Sequence, residues 1–212
     1  MKYQGRIVIL SIAFAINTYQ IIYYCLRDGY VSNMEYLSLP IILPLSWWLG
    51  HQYDRVKFYS EKDPLTGLYN RRYLDNRFNK MKASAVRNGK TISILFIDVN
   101  NFKAINDNWG HIEGDRLIKV LATQLKSSVS DKDIVARWGG DEFIILSLSC
   151  KEGTTNEIIQ HIHDNLKVTA AKRPEISVSI GTAAYPSDGT SLEQLLRVAD
   201  TSMYNMKVYQ SG

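Results

Sequence analysis

The chain has 212 residues, enough for one or two domains, and a formal net charge of +4 at pH 7. That charge is mild, and no basic block or aromatic-interleaved basic run argues for a nucleic-acid partner. Its 2 cysteines, Cys25 and Cys150, lie far apart without zinc-ligand spacing, which points to a reducing compartment.

Residues 7–26, IVILSIAFAINTYQIIYYCL, carry no charge and match the length of a bilayer-spanning helix. Asn17, Thr18 and Gln20 soften the run, although a second helix could accept their hydrogen bonds. Residues 36–50, YLSLPIILPLSWWLG, are also uncharged but short for a span, and they contain Pro40 and Pro44. Extension to Val31 and Tyr53 lengthens the segment and brings in Glu35. Trp47, Trp48 and Tyr53 suit a membrane interface. A signal peptide competes for the first segment, because Lys2 and Arg6 precede it. The length of the run, the missing small-x-small cleavage site and the second apolar segment favour a two-helix transmembrane hairpin over residues 1–53. Lys2 and Arg6 before the hairpin, and Arg55, Lys57 and Lys62 after it, place both ends in the cytoplasm with lipid around the spans. Residues 54–62 read as a short amphipathic linker helix, either dimerising or simply leaving the membrane.

The soluble domain covers residues 63–212. A turn leads into a helix that stops at Gly89. TISILFIDV, residues 91–99, is a continuous apolar strand of the kind buried on both faces. A helix is expected from about Glu113 to Lys126, then strands at 133–136 and 143–148. A threonine-capped helix over 154–172, a strand over 175–186 and a last helix over 190–210 complete the pattern. Strands interleaved with helices, plus one hairpin, give an α/β fold with a mixed sheet flanked by helices. His161 and His163 sit two apart on a helix and point to different faces, which argues against a metal pair.

The hairpin reads RWGGDEF. Gly139 and Gly140 suit a two-residue turn with positive φ. Asp141 and Glu142 follow at once, two carboxylates that repel unless they face water or share a cation. The strand ILFIDV ends on Asp98, an ionisable residue after apolar ones, which needs a cation, hydrogen-bond donors or a turn to cap. If that strand lies beside the hairpin, three carboxylates meet at one sheet edge, an oxygen-only set suited to magnesium with phosphates.

DPLTGLYNRRYL, FIDVNNFKAINDNWGHIEGD, RWGGDEF, SVSIGTAAYP and ADTSMYNMK, in this order and spacing over about residues 63–207, together resemble the GGDEF family of diguanylate cyclases. The resemblance implies a fold like nucleotidyl cyclases and polymerase palms, and condensation of two GTP to cyclic di-GMP with loss of two pyrophosphates in bacterial second-messenger signalling. It assigns metal binding to Asp98 and the Val99 carbonyl, and proton acceptance plus metal binding to Asp141. Glu142 would support the second of two magnesium ions, with manganese as a substitute. Lys103 and Lys207 would face the phosphates, and Gly139 and Gly140 would leave room for the nucleotide. Asn106 and Asp115 would read guanine, whose ring N–H and amino group a carboxylate accepts; His111 matches a further substrate contact. Each domain would hold one GTP, so the two-fold product implies a homodimer. A membrane or cytosolic regulatory partner and an inner-membrane location with the catalytic domain in the cytoplasm complete the expectation. The alternative is a catalytically weak module that binds GTP or a protein at the membrane.

Three positions depart from the family pattern. Asn100 stands where many relatives have a second aspartate. Ser130 replaces the arginine of an Arg-x-x-Asp inhibitory site, leaving only Asp133, so weak product feedback is expected there. After Lys207 comes VYQSG instead of a run with the usual phosphate-binding arginine, which predicts reduced activity.

Overall fold

The computed structural model describes residues 3–30, 33–149, 153–169 and 176–210, without side chains at 33–36, 149, 168–169 and 205–210. It divides into two compact units, Met1–Ser60 and Glu61–Gly212.

The first unit holds α1 (Gln4–Asp28) and α2 (Asn33–Glu61), whose last residue belongs to the second unit. Among the described residues α1 is the one helix long and apolar enough to cross a membrane, with a mean hydropathy of 1.6. Ile7, Ile12, Phe14 and Ile16 are exposed along it, whereas Asn17 is buried and donates through Nδ2 to Ser38 Oγ at 2.8 Å. A polar side chain in an apolar helix is satisfied by its neighbour, as the sequence allowed. The two-span expectation is not met in the same way by α2, which does not qualify as a span and runs unbroken for 29 residues through Pro40 and Pro44. Each proline removes one ladder bond, yet the helix continues through both, so the second apolar segment and the expected linker are one element.

The N-terminus of α1 has no side-chain cap of its own. Asp54 of α2 supplies it, accepting from Gly5 N at 2.7 Å and from Arg6 Nε at 3.2 Å. Gly50 permits this approach, because a Cβ there would lie 2.5 Å from the Arg6 Cα.

The second unit is a five-stranded sheet in the order β1-β3-β4-β2-β5. The strands are β1 (Tyr69–Asn70), β2 (Thr91–Val99), β3 (Ile134–Arg137), β4 (Glu142–Ser149) and β5 (Val178–Tyr185). All pairs are antiparallel except β1 with β3. The expected mixed sheet is present with one extra short strand, β1, too brief to leave a periodic signal. The helices are α3 (Arg71–Asn88), α4 (Phe102–Trp109), α5 (His111–Ser127), α6 (Thr154–Thr169) and α7 (Leu192–Gln210).

Alternation along β2 divides the core in two. Leu95, Ile97 and Val99 pack with Leu117, Leu121 and Leu125 of α5 and Ile158 and Ile162 of α6. Ile92, Ile94 and Phe96 face Leu74 and Phe78 of α3 and Leu195 and Ala199 of α7. Strand β2 is thus buried on both faces, as its unbroken apolar run predicts. Gly181 lets α7 lie against β5, since a Cβ there would strike the Ala199 carbonyl and come within 2.6 Å of Met203 N.

Two local expectations need correction. α5 opens at His111, not Glu113, and a separate helix, α4, precedes it. Asn101 starts α4 in the left-handed region at φ 55°, and Gly110 at φ 81° divides the two helices. Asparagine tolerates that conformation, so NNF reads as a turn from sequence. The hairpin glycines also differ: neither Gly139 nor Gly140 has positive φ. The reversal is spread over the residues between Arg137 and Phe143, the last paired positions, with Trp138 N donating to Glu142 O at 2.8 Å. A longer loop does not need the tight two-residue geometry.

Candidate functional site

Antiparallel register places Asp98 of β2 directly opposite Glu142 of β4. Paired residues share one side of the pleat, here that of α3 and α7. Asp141 stands one residue outside β4, and its carbonyl accepts the Val99 N–H at 3.2 Å. The sheet edge therefore brings Asp98, Val99, Asp141 and Glu142 together through main-chain pairing. Among the described residues no three acidic, histidine or cysteine side chains form a preassembled metal cluster. The donor types still fit a hard divalent cation, since all are oxygen: carboxylates plus the Val99 carbonyl.

Arg137 holds the loop in shape. Its Nε donates to Gly139 O at 3.0 Å, and its Nη2 to Gly140 O at 2.7 Å. Its Nη1 reaches the Asp63 carboxylate at 3.2 Å. Asp63 in turn accepts from Thr66 N at 2.8 Å and Thr66 Oγ1 at 2.7 Å. Burial pushes the Asp63 carboxyl up, but the Thr66 bonds and the Arg137 charge outweigh it and hold the group below the usual carboxylate range. Sequence reading missed this bridge because its partners are 74 residues apart.

Gly139 leaves space that the end of the Glu142 side chain takes up. A Cβ there would lie 2.7 Å from Glu142 Oε2, so the carboxylate folds back over the glycine. Gly140 has open space around it. Asn100 is fully engaged, its Nδ2 donating to Ser177 Oγ at 3.2 Å and its Oδ1 accepting from Ser179 Oγ at 2.7 Å. It ties the end of β2 to β5.

Helices α4 and α5 place the remaining residues. Lys103 is exposed in the first turn of α4, whose N-terminus has no side-chain cap. The Asn106 carboxamide lies against Gly114, so closely that a Cβ on Gly114 would collide with it. Asn106 is thereby set beside the residue preceding Asp115, bringing the two expected base readers onto one helix pair. The need for Gly114 leaves no mark in the sequence pattern. His111 and Asp115 are exposed, and so are His161 and His163 on α6. The Lys207 side chain lies outside the described residues.

A cavity of about 470 Å³ opens on the α3 and α7 side, with Glu142, Arg71 and Trp138 in its wall. The Arg71 guanidinium sits 4.2 Å from the Trp138 ring centroid.

Comparison with known proteins gives one family. Residues 60–211 match the model of the diguanylate cyclase GGDEF domain. The diguanylate cyclase DosC of Escherichia coli K12 is 37% identical over 149 residues, 68% of this chain and 32% of DosC. The cyclic di-GMP phosphodiesterase NbdA of Pseudomonas aeruginosa is 31% identical over 162 residues, 75% of this chain and 21% of NbdA. The chain thus spans no more than a third of either curated relative. The coiled coil and GGDEF domain of DgcB from Caulobacter crescentus, solved with c-di-GMP, superposes with a TM-score of 0.73 at 25% identity. That match covers 83% of this chain and 95% of the solved one.

Proposed function

The chain belongs to the GGDEF-domain family of diguanylate cyclases, and on that premise we propose that it condenses two GTP into cyclic di-GMP between two copies of its second unit. The observation that carries this reading is the Asp98–Glu142 register pair with Asp141 in the adjoining loop. Asp98, the Val99 carbonyl, Asp141 and Glu142 would hold magnesium, or manganese in its place. Bound there, the metal supplies charge neutralisation for the phosphates and a lower pKa for the attacking hydroxyl.

The remaining chemistry belongs to the side chains. Asp115 accepts guanine's ring N–H and amino hydrogens, and Asn106 offers both a donor and an acceptor. Adenine lacks those hydrogens together, so it leaves the carboxylate unpaired. His111 adds a contact at the helix start. Lys103 and the uncapped N-terminus of α4 favour phosphate, and Lys207 is assigned the same role. Gly139 and Gly140 leave backbone room beside the phosphates. Asp141 takes the proton of the ribose 3′-hydroxyl of one GTP. That oxygen bonds to the α-phosphorus of the other GTP as the bond to the β-phosphate breaks and pyrophosphate leaves. The same exchange in the opposite direction closes the ring, so two copies face each other. Trp109 and Ile112, exposed at the α4–α5 joint, suit such a face.

Membrane attachment is part of the proposal. The exposed apolar length of α1 and the inward pairing of Asn17 support an anchor, and the flanking basic residues Lys2, Arg6, Arg55 and Lys57 favour a cytoplasmic second unit. The second reading, a GTP-binding or protein-interaction module of weak activity, is favoured by Val-Tyr-Gln-Ser after Lys207, where the family's phosphate-binding arginine is expected. Turnover of GTP, but not ATP, to a cyclic dinucleotide by the full chain tests the first reading. Loss of that turnover in Asp98→Ala supports it, and unchanged turnover in that variant overturns it.

A further inference from the structure

A cavity of about 490 Å³ lies in the second unit between residues 62–69, the C-terminal half of α5 and Asp131. Lys62 and Lys126 both line it. The Lys62 ammonium stands 3.2 Å from the centroid of Tyr69, and Tyr73 stacks on that ring at 3.8 Å. Among the described residues neither lysine forms an ion pair. Burial first, and then the Lys126 charge, push the Lys62 ammonium down to about 8, with only Glu61 opposing. Asp131 also lines the cavity without bridging to either lysine. Lys62 is therefore a half-buried cation whose neighbours leave its charge underpaired.

The hydroxyls in the wall are already committed as donors. Thr66 donates to Asp63, Thr123 to the Lys119 carbonyl and Ser127 to the Gln124 carbonyl. The Tyr69 hydroxyl is hydrogen-bonded with Tyr73, so the charged side-chain donors offered to a ligand are the two ammonium groups. With Lys62 and Tyr73 both held against Tyr69, that ring is not offered for stacking a base, so recognition rests on charge. Two point-charge donors suit a tetrahedral oxyanion better than a planar carboxylate, which favours the arginine fork.

We propose that this cavity binds a phosphate dianion, free or esterified to a small molecule, with Lys62 and Lys126 as its two cationic ligands. The site is separate from the edge that holds Asp98 and Glu142, and it does not depend on the cyclase reading. It lies beside the family's inhibitory position, yet it uses neither Ser130 nor Asp133, which bond to each other. Lys62 directly precedes Asp63, the anchor of Arg137, so an anion held there sits next to the bridge that shapes the Gly139–Gly140 loop.

The test is calorimetric titration of the full chain with inorganic phosphate and, separately, with glucose 6-phosphate. Saturable binding of either, weakened at least tenfold by both Lys62→Gln and Lys126→Gln and retained in Lys126→Arg, supports the site. A preference between the two probes tells free from esterified phosphate. Amine-labelling rates against pH give a second readout, in which phosphate moves the Lys62 titration up from about 8. Absence of saturable binding, or equal affinity in wild type and both Gln variants with an unmoved Lys62 titration, overturns the proposal.

Discussion

Arg137 and Asp63 meet at 3.2 Å across the second unit, with both side chains largely withdrawn from solvent at 16% and 17% exposure. Through this pair the turn that opens the domain is tied to the loop carrying Asp141 and Glu142. Removing the anchor leaves the guanidinium with only the glycine carbonyls. Asp63→Ala is expected to cost about 1–2 kcal/mol of stability, discounted for partial exposure. It should also lower GTP turnover more than GTP binding, since the loop carries Asp141, the proposed proton acceptor. Denaturant midpoints and a comparison of kcat with KM check both parts.

The same carboxylate sets an acid limit. Its folded pKa lies below the ordinary value, so the unfolded chain binds the proton more readily. The stability it contributes is complete above the ordinary carboxylate pKa and is lost as pH falls through the lower folded value. Denaturation between pH 6 and 2 should therefore show an acid-side decline that is shallower in Asp63→Asn.

Gly114 and Asn106 make a steric prediction at the proposed base-reading end. Gly114→Ala forces the carboxamide away, because the added methyl would occupy its place. Losing the hydrogen bonds of one polar reader costs about 1–3 kcal/mol, roughly 5- to 150-fold in kcat/KM for GTP. Selectivity over ATP should shrink with it. An unchanged ratio of the two nucleotides would show that Asn106 does not read the base.

Gly181→Ala acts on the fold, not the site. Its methyl meets backbone atoms of α7, which cannot rotate out of the way. Overpacking of this kind costs about 1–3 kcal/mol, and the denaturant midpoint should fall without any specific effect on nucleotide affinity.

Product feedback is the remaining contrast with the family. The Asp133 carboxylate accepts from Ser130 N at 2.9 Å and Ser130 Oγ at 2.7 Å, closing a small turn on itself. No guanidinium is present at this position to hold a guanine or phosphate. Titration with cyclic di-GMP should show weak inhibition. Tight inhibition abolished by Ser130→Ala would contradict this, whereas tight inhibition untouched by that change would locate feedback elsewhere.

How far these features were legible depends on where the interacting partners lie in the chain. The β2 run ending on Asp98 and the hairpin around RWGGDEF are local patterns, whereas the register that sets Asp98 opposite Glu142 is a long-range pairing that no local pattern carries. The role of Arg137 was hidden because its anchor lies far upstream. Gly114 and Gly139 gave no signal of their own, since a glycine needed for clearance looks like any other until its neighbour is placed. The left-handed Asn101 backbone opens α4, a helix that the sequence shows only as a turn after Asp98. The uncharged segment around Pro40 and Pro44 is short for a span, and in the structure it is part of one helix, α2, that continues through both prolines to Glu61. Asn100, which stands where many relatives have a second aspartate, donates to Ser177 and accepts from Ser179.

The most direct test is a pair of measurements on the full chain in detergent with GTP and magnesium: GTP binding and formation of cyclic di-GMP, in wild type and Asp141→Ala. The account predicts product from the wild type and a loss of at least a hundredfold in the variant, with the dimer and GTP binding retained. A demonstrated wild-type dimer that binds GTP and makes no product, or a variant that makes it at the wild-type rate, would contradict it.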